Sequence, residues 1–175
     1  MDNGNETTLR GKVLVADDLF FMRMLLRTIL TEAGHTVVAE ASTGREAVSL
    51  YNLFRPDVVM MDISMPERDG LTAMEEIIRI NPSAQVVVCT ALAFRKVATE
   101  ALLRGACDFI IKPFRPETIL LAVQGALRRL QSPGYAGRNV VLHPAVLTGG
   151  SAARAVSGNE EERIARRPSL LRRNS

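Results

Sequence analysis

Hydrophobic and polar positions along this chain switch between two rhythms. Short apolar runs recur at Lys12-Val13-Leu14-Val15-Ala16, Thr36 to Glu40, Val58-Val59-Met60-Met61, Gln85 to Thr90 and Asp108-Phe109-Ile110-Ile111. Unbroken runs of this length read as strands buried on both faces, as in a parallel sheet. Between them lie stretches with helical spacing. The first runs from Phe20 to Ala33, with Phe21, Leu25 and Ile29 in register and Gly34 suited to the left-handed residue that closes a helix. Thr43-Gly44-Arg45-Glu46 matches a capping box, and the helix it starts is stopped by Arg55-Pro56 after Phe54. Asp69-Gly70 reads as a turn before a helix from Leu71 to Ile80, which Asn81-Pro82 ends. Phe94 to Arg104 is a fourth helix, closed by Gly105. The last starts near Pro116, a residue favoured in a first turn, and runs to about Leu130.

Strand and helix thus alternate five times with short connections. The expected fold class is α/β, a doubly wound five-stranded parallel sheet with helices on both faces. The chain has 175 residues. We divide it into a polar, disordered N-terminus over 1–10, a folded domain over 11–131 and a low-structure basic tail over 132–175. No apolar run approaches the roughly 20 residues that cross a bilayer, and the N-terminus has no signal-peptide pattern, so a cytoplasmic protein is expected. Cys89 and Cys107 lie inside apolar strand-like runs and read as small buried hydrophobes rather than a disulfide. His35 and His143 have no neighbouring ligands that would suggest zinc. The net charge of +3 is unevenly spread. From Ser132 onward seven Arg face three Glu, a surplus of +4 that leaves the rest at −1. The basic character belongs to the tail and does not mark the folded part as a nucleic-acid binder.

Candidate chemistry collects where strands end. Asp17 and Asp18 follow the first strand, Asp62 the third, Thr90 closes the fourth and Lys112 the fifth. In an open parallel sheet these ends share one edge, where ligands bind. Each residue alone is an ordinary loop or capping group, and together they could form a hydrogen-bonded acidic pocket without metal. Three carboxylates brought together repel one another unless some take up protons or a cation holds them. Their hard oxygens suit Mg²⁺. An ammonium and a hydroxyl beside them are suited to the oxygens of a phosphoryl group, and a carboxylate can attack phosphorus to form an acyl phosphate. The residues therefore point to phosphorylation of one Asp, with the other acids holding metal.

The motifs KVLVADD, VVMMDISMPERDG, VVVCTA and DFIIKPF, in that order, resemble the response-regulator receiver domain. The resemblance spans about Lys12 to Leu130. Within that family the stretches ADDLFFMRMLLRTIL, VVAEASTGREAV, MDISMPERDGLTAMEEI and GACDFIIKPF are most similar to the CheY-like chemotaxis regulators of Gram-positive bacteria. The resemblance implies a flavodoxin-like strand order of 2-1-3-4-5. It implies that Asp62 is the phosphoacceptor and that Asp17, Asp18, Asp62 and the backbone carbonyl of Ser64 hold Mg²⁺. It implies that Lys112, aimed by a cis bond to Pro113, pairs with the phosphoryl group, and that Thr90 moves to bond it. Phe109, standing where many relatives carry Tyr, would be the aromatic that turns inward as Thr90 moves. The surface of the fourth helix, fifth strand and fifth helix, with Phe94, Arg95 and Lys96 near it, would then change shape. Leu92, two residues after Thr90, occupies a place where many relatives have a polar group near the hydrolytic water.

The partners implied are a histidine kinase resembling CheA and the flagellar motor switch protein, or another phosphorylation-dependent partner. The chain is then a phosphorylated signalling switch that assists its own phosphorylation and dephosphorylation, not an enzyme acting on a separate substrate. One alternative is a stand-alone receiver serving as a phosphorelay intermediate. A Mg²⁺-dependent aspartyl-phosphate hydrolase is a reading of another class, but it typically wants a second acid where Ser64 stands, and no substrate cap is evident. A flavin or nucleotide site is opposed by Asp17-Asp18, which would repel phosphate after the first strand. In the tail, Val140-Val141-Leu142 and Val146-Leu147 are short apolar patches, residues 159–167 could form one brief helix, and Arg166-Arg167-Pro168-Ser169 with Arg172-Arg173 make a basic end. No DNA-binding domain and no membrane span are expected there.

Overall fold

The computed structural model describes residues 8–67, 69–91 and 95–132. The proposed tail beyond Ser132, with His143, and the expectations placed on Leu92 and Phe94 lie outside the described residues. In chain order the elements are β1 (Lys12–Ala16), α1 (Phe20–Glu32), β2 (Thr36–Ala41), α2 (Gly44–Phe54), β3 (Val58–Asp62), α3 (Gly70–Ile80), β4 (Gln85–Ala91), α4 (Arg95–Leu103), β5 (Asp108–Lys112) and α5 (Pro116–Gln131). The five strands pair in the order β2-β1-β3-β4-β5, every pair parallel. Both the α/β class and the strand order agree with expectation.

The alternation of strand side chains divides the core in two. Leu14, Ala16, Val59, Met61, Val86 and Val88 face a layer built by α2, α3 and α4. Their neighbours Val13, Val15, Val58, Met60, Val87 and Cys89 face α1 and α5. All twelve are at most 2% exposed, so the three central strands β1, β3 and β4 have no solvent face, which is why they read as continuous apolar runs, whereas the edge strand β2 is only half-buried. The chain reverses its direction across the sheet between β1 and β3, and there the loops after the two strands splay to opposite faces and open a crevice.

Local chemistry fixes the ends. Thr43 Oγ1 accepts from the Glu46 amide at 3.1 Å, but Glu46 returns its carboxylate to Ser42, one residue earlier than a capping box requires. Gly34 and Gly105 take positive φ after α1 and α4. The helical pattern of α1 needs one correction. Its inward face is Leu26, Ile29 and Leu30, whereas Phe21 is 67% exposed and Leu25 36% exposed. Spacing alone could not tell which of two apolar stripes on this helix meets the sheet. Within the expected disordered N-terminus, Leu9 exchanges two hydrogen bonds with the Gln124 side chain of α5.

Candidate functional site

Parallel register brings the strand ends to one edge. Ala16 pairs with Met61, so Asp17 and Asp62 emerge side by side from the two central strands. Asp62 pairs with Cys89, and Ala91 with Lys112, which carries Thr90 and Lys112 to the same edge. Carboxylate oxygens of Asp17, Asp18 and Asp62 lie within 4.8 Å of one another. Asp17 is fully buried, Asp62 is buried and Asp18 is exposed. Lys112 Nζ donates to Asp17 Oδ2 at 2.6 Å and stands 3.2 Å from Asp62 Oδ1. A cavity of about 280 Å³ opens over these groups, lined by Asp18, Leu19, Asp62, Ser64, Ala91 and Lys112. The Lys112–Pro113 bond is cis, as the family resemblance implies.

Thr90 is fully buried, and its hydroxyl has no hydrogen-bond partner among the described residues. A buried hydroxyl left unpaired is costly, so it is a group held ready for a partner. Phe109 already lies inside, 7% exposed and packed with the layer of α2, α3 and α4. Cys89 beside the site is buried and free, and burial pushes its thiol up to about 12, so it is a packing group and not a nucleophile.

The electrostatics follow from crowding in a poorly solvated place. Burial raises the Asp62 carboxyl above its ordinary value. Lys112 pulls it down, while Asp17 and Asp18 push it further up, and the net direction is upward. Burial also works against the Lys112 ammonium, but its hydrogen bond to Asp17 and the charge of Asp62 outweigh this and hold it above its usual range. The site has more negative charge than one ammonium balances. Hard oxygen donors from three carboxylates, one of them open to solvent, fit Mg²⁺, which keeps several of its own waters.

Two residues that sequence reading passed over shape this site. Gly70 is the first residue of α3, and a Cβ there would stand 1.8 Å from the Asp62 carbonyl oxygen and 2.8 Å from its carbon. The Asp69-Gly70 pair read as a turn; Asp69 is in fact the N-cap, accepting from the Thr72 amide at 2.9 Å. Arg23 on α1 is the other. It donates to the backbone of both Asp17 and Asp18. Its place in a run of apolar and basic residues carried no signal for this.

The family model of the response regulator receiver domain matches residues 13–124. Over 112 residues the chain is 47% identical to a chemotaxis protein CheY from Thermotoga maritima, spanning 64% of this chain and 93% of that protein. Among solved structures, CheY in the CheX–CheY–BeF₃–Mg²⁺ complex from Borrelia burgdorferi is similar, at TM-score 0.62 and 33% identity over 64% of this chain and 85% of that one. NtrX from Brucella abortus in complex with ADP matches at TM-score 0.66 and 31% identity, over 70% of this chain but only 28% of the longer NtrX chain.

Proposed function

Because the chain belongs to the response-regulator receiver family, we propose that it accepts a phosphoryl group on Asp62 from a histidine kinase and so switches the binding of a partner. One observation carries this reading: Lys112 Nζ bridges Asp17 and Asp62 within a cluster of three carboxylates, beside a cavity that Asp18, Asp62 and Lys112 line. An Asp62 oxygen attacks phosphorus, the bond from phosphorus to the donor's histidine nitrogen breaks, and that nitrogen keeps the electron pair. Asp17, Asp18 and Asp62, with the Ser64 carbonyl, would hold Mg²⁺. When bound, it offsets charge on the transferring phosphoryl oxygens. Lys112 binds one of those oxygens and the Thr90 hydroxyl gains the partner it lacks, which draws Thr90 toward the site. Repacking of Thr90 against Phe109 then biases the surface of α4, β5 and α5 between two arrangements. Because Phe109 is already buried, that bias rests on the hydroxyl as well as the ring.

We assign the output to chemotaxis, by likeness to the CheY proteins, with a flagellar motor switch protein as partner. Leu19, which lines the cavity, and Phe20 and Phe21, which follow it in the chain, are exposed apolar residues at 57%, 70% and 67% and supply a contact for the histidine-bearing donor that must reach Asp62. A phosphorelay role shares every feature of the site. Among the described residues no helix is long and apolar enough to cross a membrane. The full chain, phosphorylated with acetyl phosphate and Mg²⁺, is used as bait beside unphosphorylated chain. Motor-switch proteins enriched by phosphorylation support chemotaxis, while a histidine phosphotransferase in their place favours the relay.

A further inference from the structure

The loop after β1 carries two of the three converging acids, and the Asp17 side chain is held there by the Leu19 amide, which donates to its Oδ1 at 3.0 Å, and by Lys112, while the Asp18 side chain is exposed. α1 begins without a side-chain cap, because its N-cap residue is Leu19. Mutual repulsion of the carboxylates pushes Asp17 and Asp18 away from Asp62. The carbonyls of both residues are held by one side chain, that of the fourth residue of the helix. Arg23 Nη1 donates to the Asp17 carbonyl at 2.8 Å and to the Asp18 carbonyl at 3.2 Å. The Asp17 amide donates to the Ala41 carbonyl at 3.1 Å, so both backbone polar groups of that residue are fixed.

Arg23 is itself held. Its Nε lies 3.5 Å from Glu40 Oε2, on β2 next to Ala41, and Glu40 Oε1 accepts from Arg27 Nε at 2.5 Å. The guanidinium carbon lies 5.8 Å from the centroid of the Phe20 ring. The side chain is 16% exposed, which favours a fixed geometry over a mobile surface ion pair. Only a guanidinium can serve this position fully. Its planar fork reaches two carbonyls and a carboxylate at once, whereas an ammonium on a flexible stem cannot hold all three in a plane.

We propose that Arg23, held by Glu40, is the positioning residue of the metal-binding loop: it clamps the main chain of Asp17 and Asp18 so that their carboxylates meet a divalent cation without prior rearrangement. This rests on the receiver reading above. Groups that orient metal ligands from outside the coordination sphere typically change affinity 10–100-fold when removed.

The test is calorimetric titration of the full chain with Mg²⁺ alone, at fixed ionic strength, for the parent and for Arg23→Gln, Arg23→Lys and Glu40→Gln, with melting temperatures measured beside it. Arg23→Gln is expected to weaken Mg²⁺ binding about tenfold or more. Arg23→Lys, which keeps the charge and the stem, is expected to weaken it by a smaller factor while melting close to the parent. Glu40→Gln, which releases the clamp without touching the loop, should also weaken it. Arg104→Gln, which breaks ion pairs to Glu75 and Glu100 on the α3–α4 side, serves as the structural control and should leave Mg²⁺ affinity unchanged. Should Arg23→Lys and Glu40→Gln both bind Mg²⁺ within twofold of the parent, the clamp is refuted even if Arg23→Gln fails to fold. Should the parent itself bind no Mg²⁺, the receiver reading falls with it.

Discussion

Gly70→Ala adds one methyl group where two main-chain segments nearly touch. The new carbon would stand 1.8 Å from the Asp62 carbonyl oxygen, 2.8 Å from its carbon and 3.0 Å from Ile63 Cα. None of these atoms belongs to a flexible side chain. To regain ordinary contact the start of α3 and the end of β3 must part by about 1.5 Å. Either Asp62 moves, or the loop from Ile63 to Asp69 that carries Ser64 deforms and the hydrogen bond from the Gly70 amide to the Ile63 carbonyl at 2.9 Å opens. Overpacking typically costs about 1–3 kcal/mol, and a clash with main chain belongs at the upper end. The better helix propensity of alanine returns at most about 1 kcal/mol. A net loss of roughly 2 kcal/mol lowers the melting temperature by roughly 5–10 °C. A misplacement of about 1 Å at reacting groups can cost on the order of 10²-fold in rate, so phosphorylation by acetyl phosphate at saturating Mg²⁺ should fall at least about tenfold. Gly125→Ala in α5 is the matched control, since a Cβ there meets nothing within 4 Å. It should raise stability by about 0.5–1 kcal/mol and leave the rate alone. Scanning calorimetry and initial rates check both. A Gly70→Ala protein that melts with the parent and reacts within twofold of it would refute the close approach.

Other outcomes follow from the charges and side chains. The raised Asp62 carboxyl binds its proton more tightly in the folded state than in the unfolded chain, so its ionisation costs stability as pH rises through that window. Without metal, Asp62→Asn should therefore melt a few degrees above the parent at pH 7, and the gap should close as pH falls below 3.8, the ordinary value of the carboxyl, where it is protonated in both the folded and unfolded chain; a gap that does not change with pH would contradict the assignment. His35 works in the opposite sense. Burial lowers its pKa below 6.5, and its Nδ1 lone pair accepts the Gly11 amide at 3.3 Å. Its stabilising contribution is full above 6.5 and lost as pH falls through the folded value. The parent should lose melting temperature between pH 7 and 5, and His35→Gln should lose less. The apolar Leu92 cannot orient water by hydrogen bonding, so the phosphoryl group should persist for minutes without a phosphatase, and Leu92→Asn should shorten its lifetime; decay within seconds in the parent would overturn this.

Much of this architecture was legible because the central strands are buried on both faces and the helices are punctuated. The runs at Val58–Met61 and Gln85–Thr90 cannot satisfy any other environment, and Gly34, Pro56 and Gly105 mark stops that the backbone obeys. The acids could be placed on one edge from topology alone, since parallel strands share their direction. What stayed hidden depends on distances that no period encodes. On α1 two apolar stripes compete, and only packing with the sheet and α5 shows that Leu26, Ile29 and Leu30 face inward. Gly70 looks like half of a turn until the Asp62 carbonyl is seen against it. Arg23 looks like a solvated helix charge until its two carbonyl partners are in place. The shared theme is backbone: side-chain chemistry reads from sequence more readily than the main-chain contacts that aim it.

The central claim is that Asp62 accepts phosphorus in a site completed by a divalent ion. Intact mass measured after incubation with acetyl phosphate tests this most directly. The parent should gain a single phosphoryl group in Mg²⁺ and none after chelation, and Asp62→Asn should gain none in either. An Asp62→Asn protein that takes up the group as readily as the parent would contradict the account.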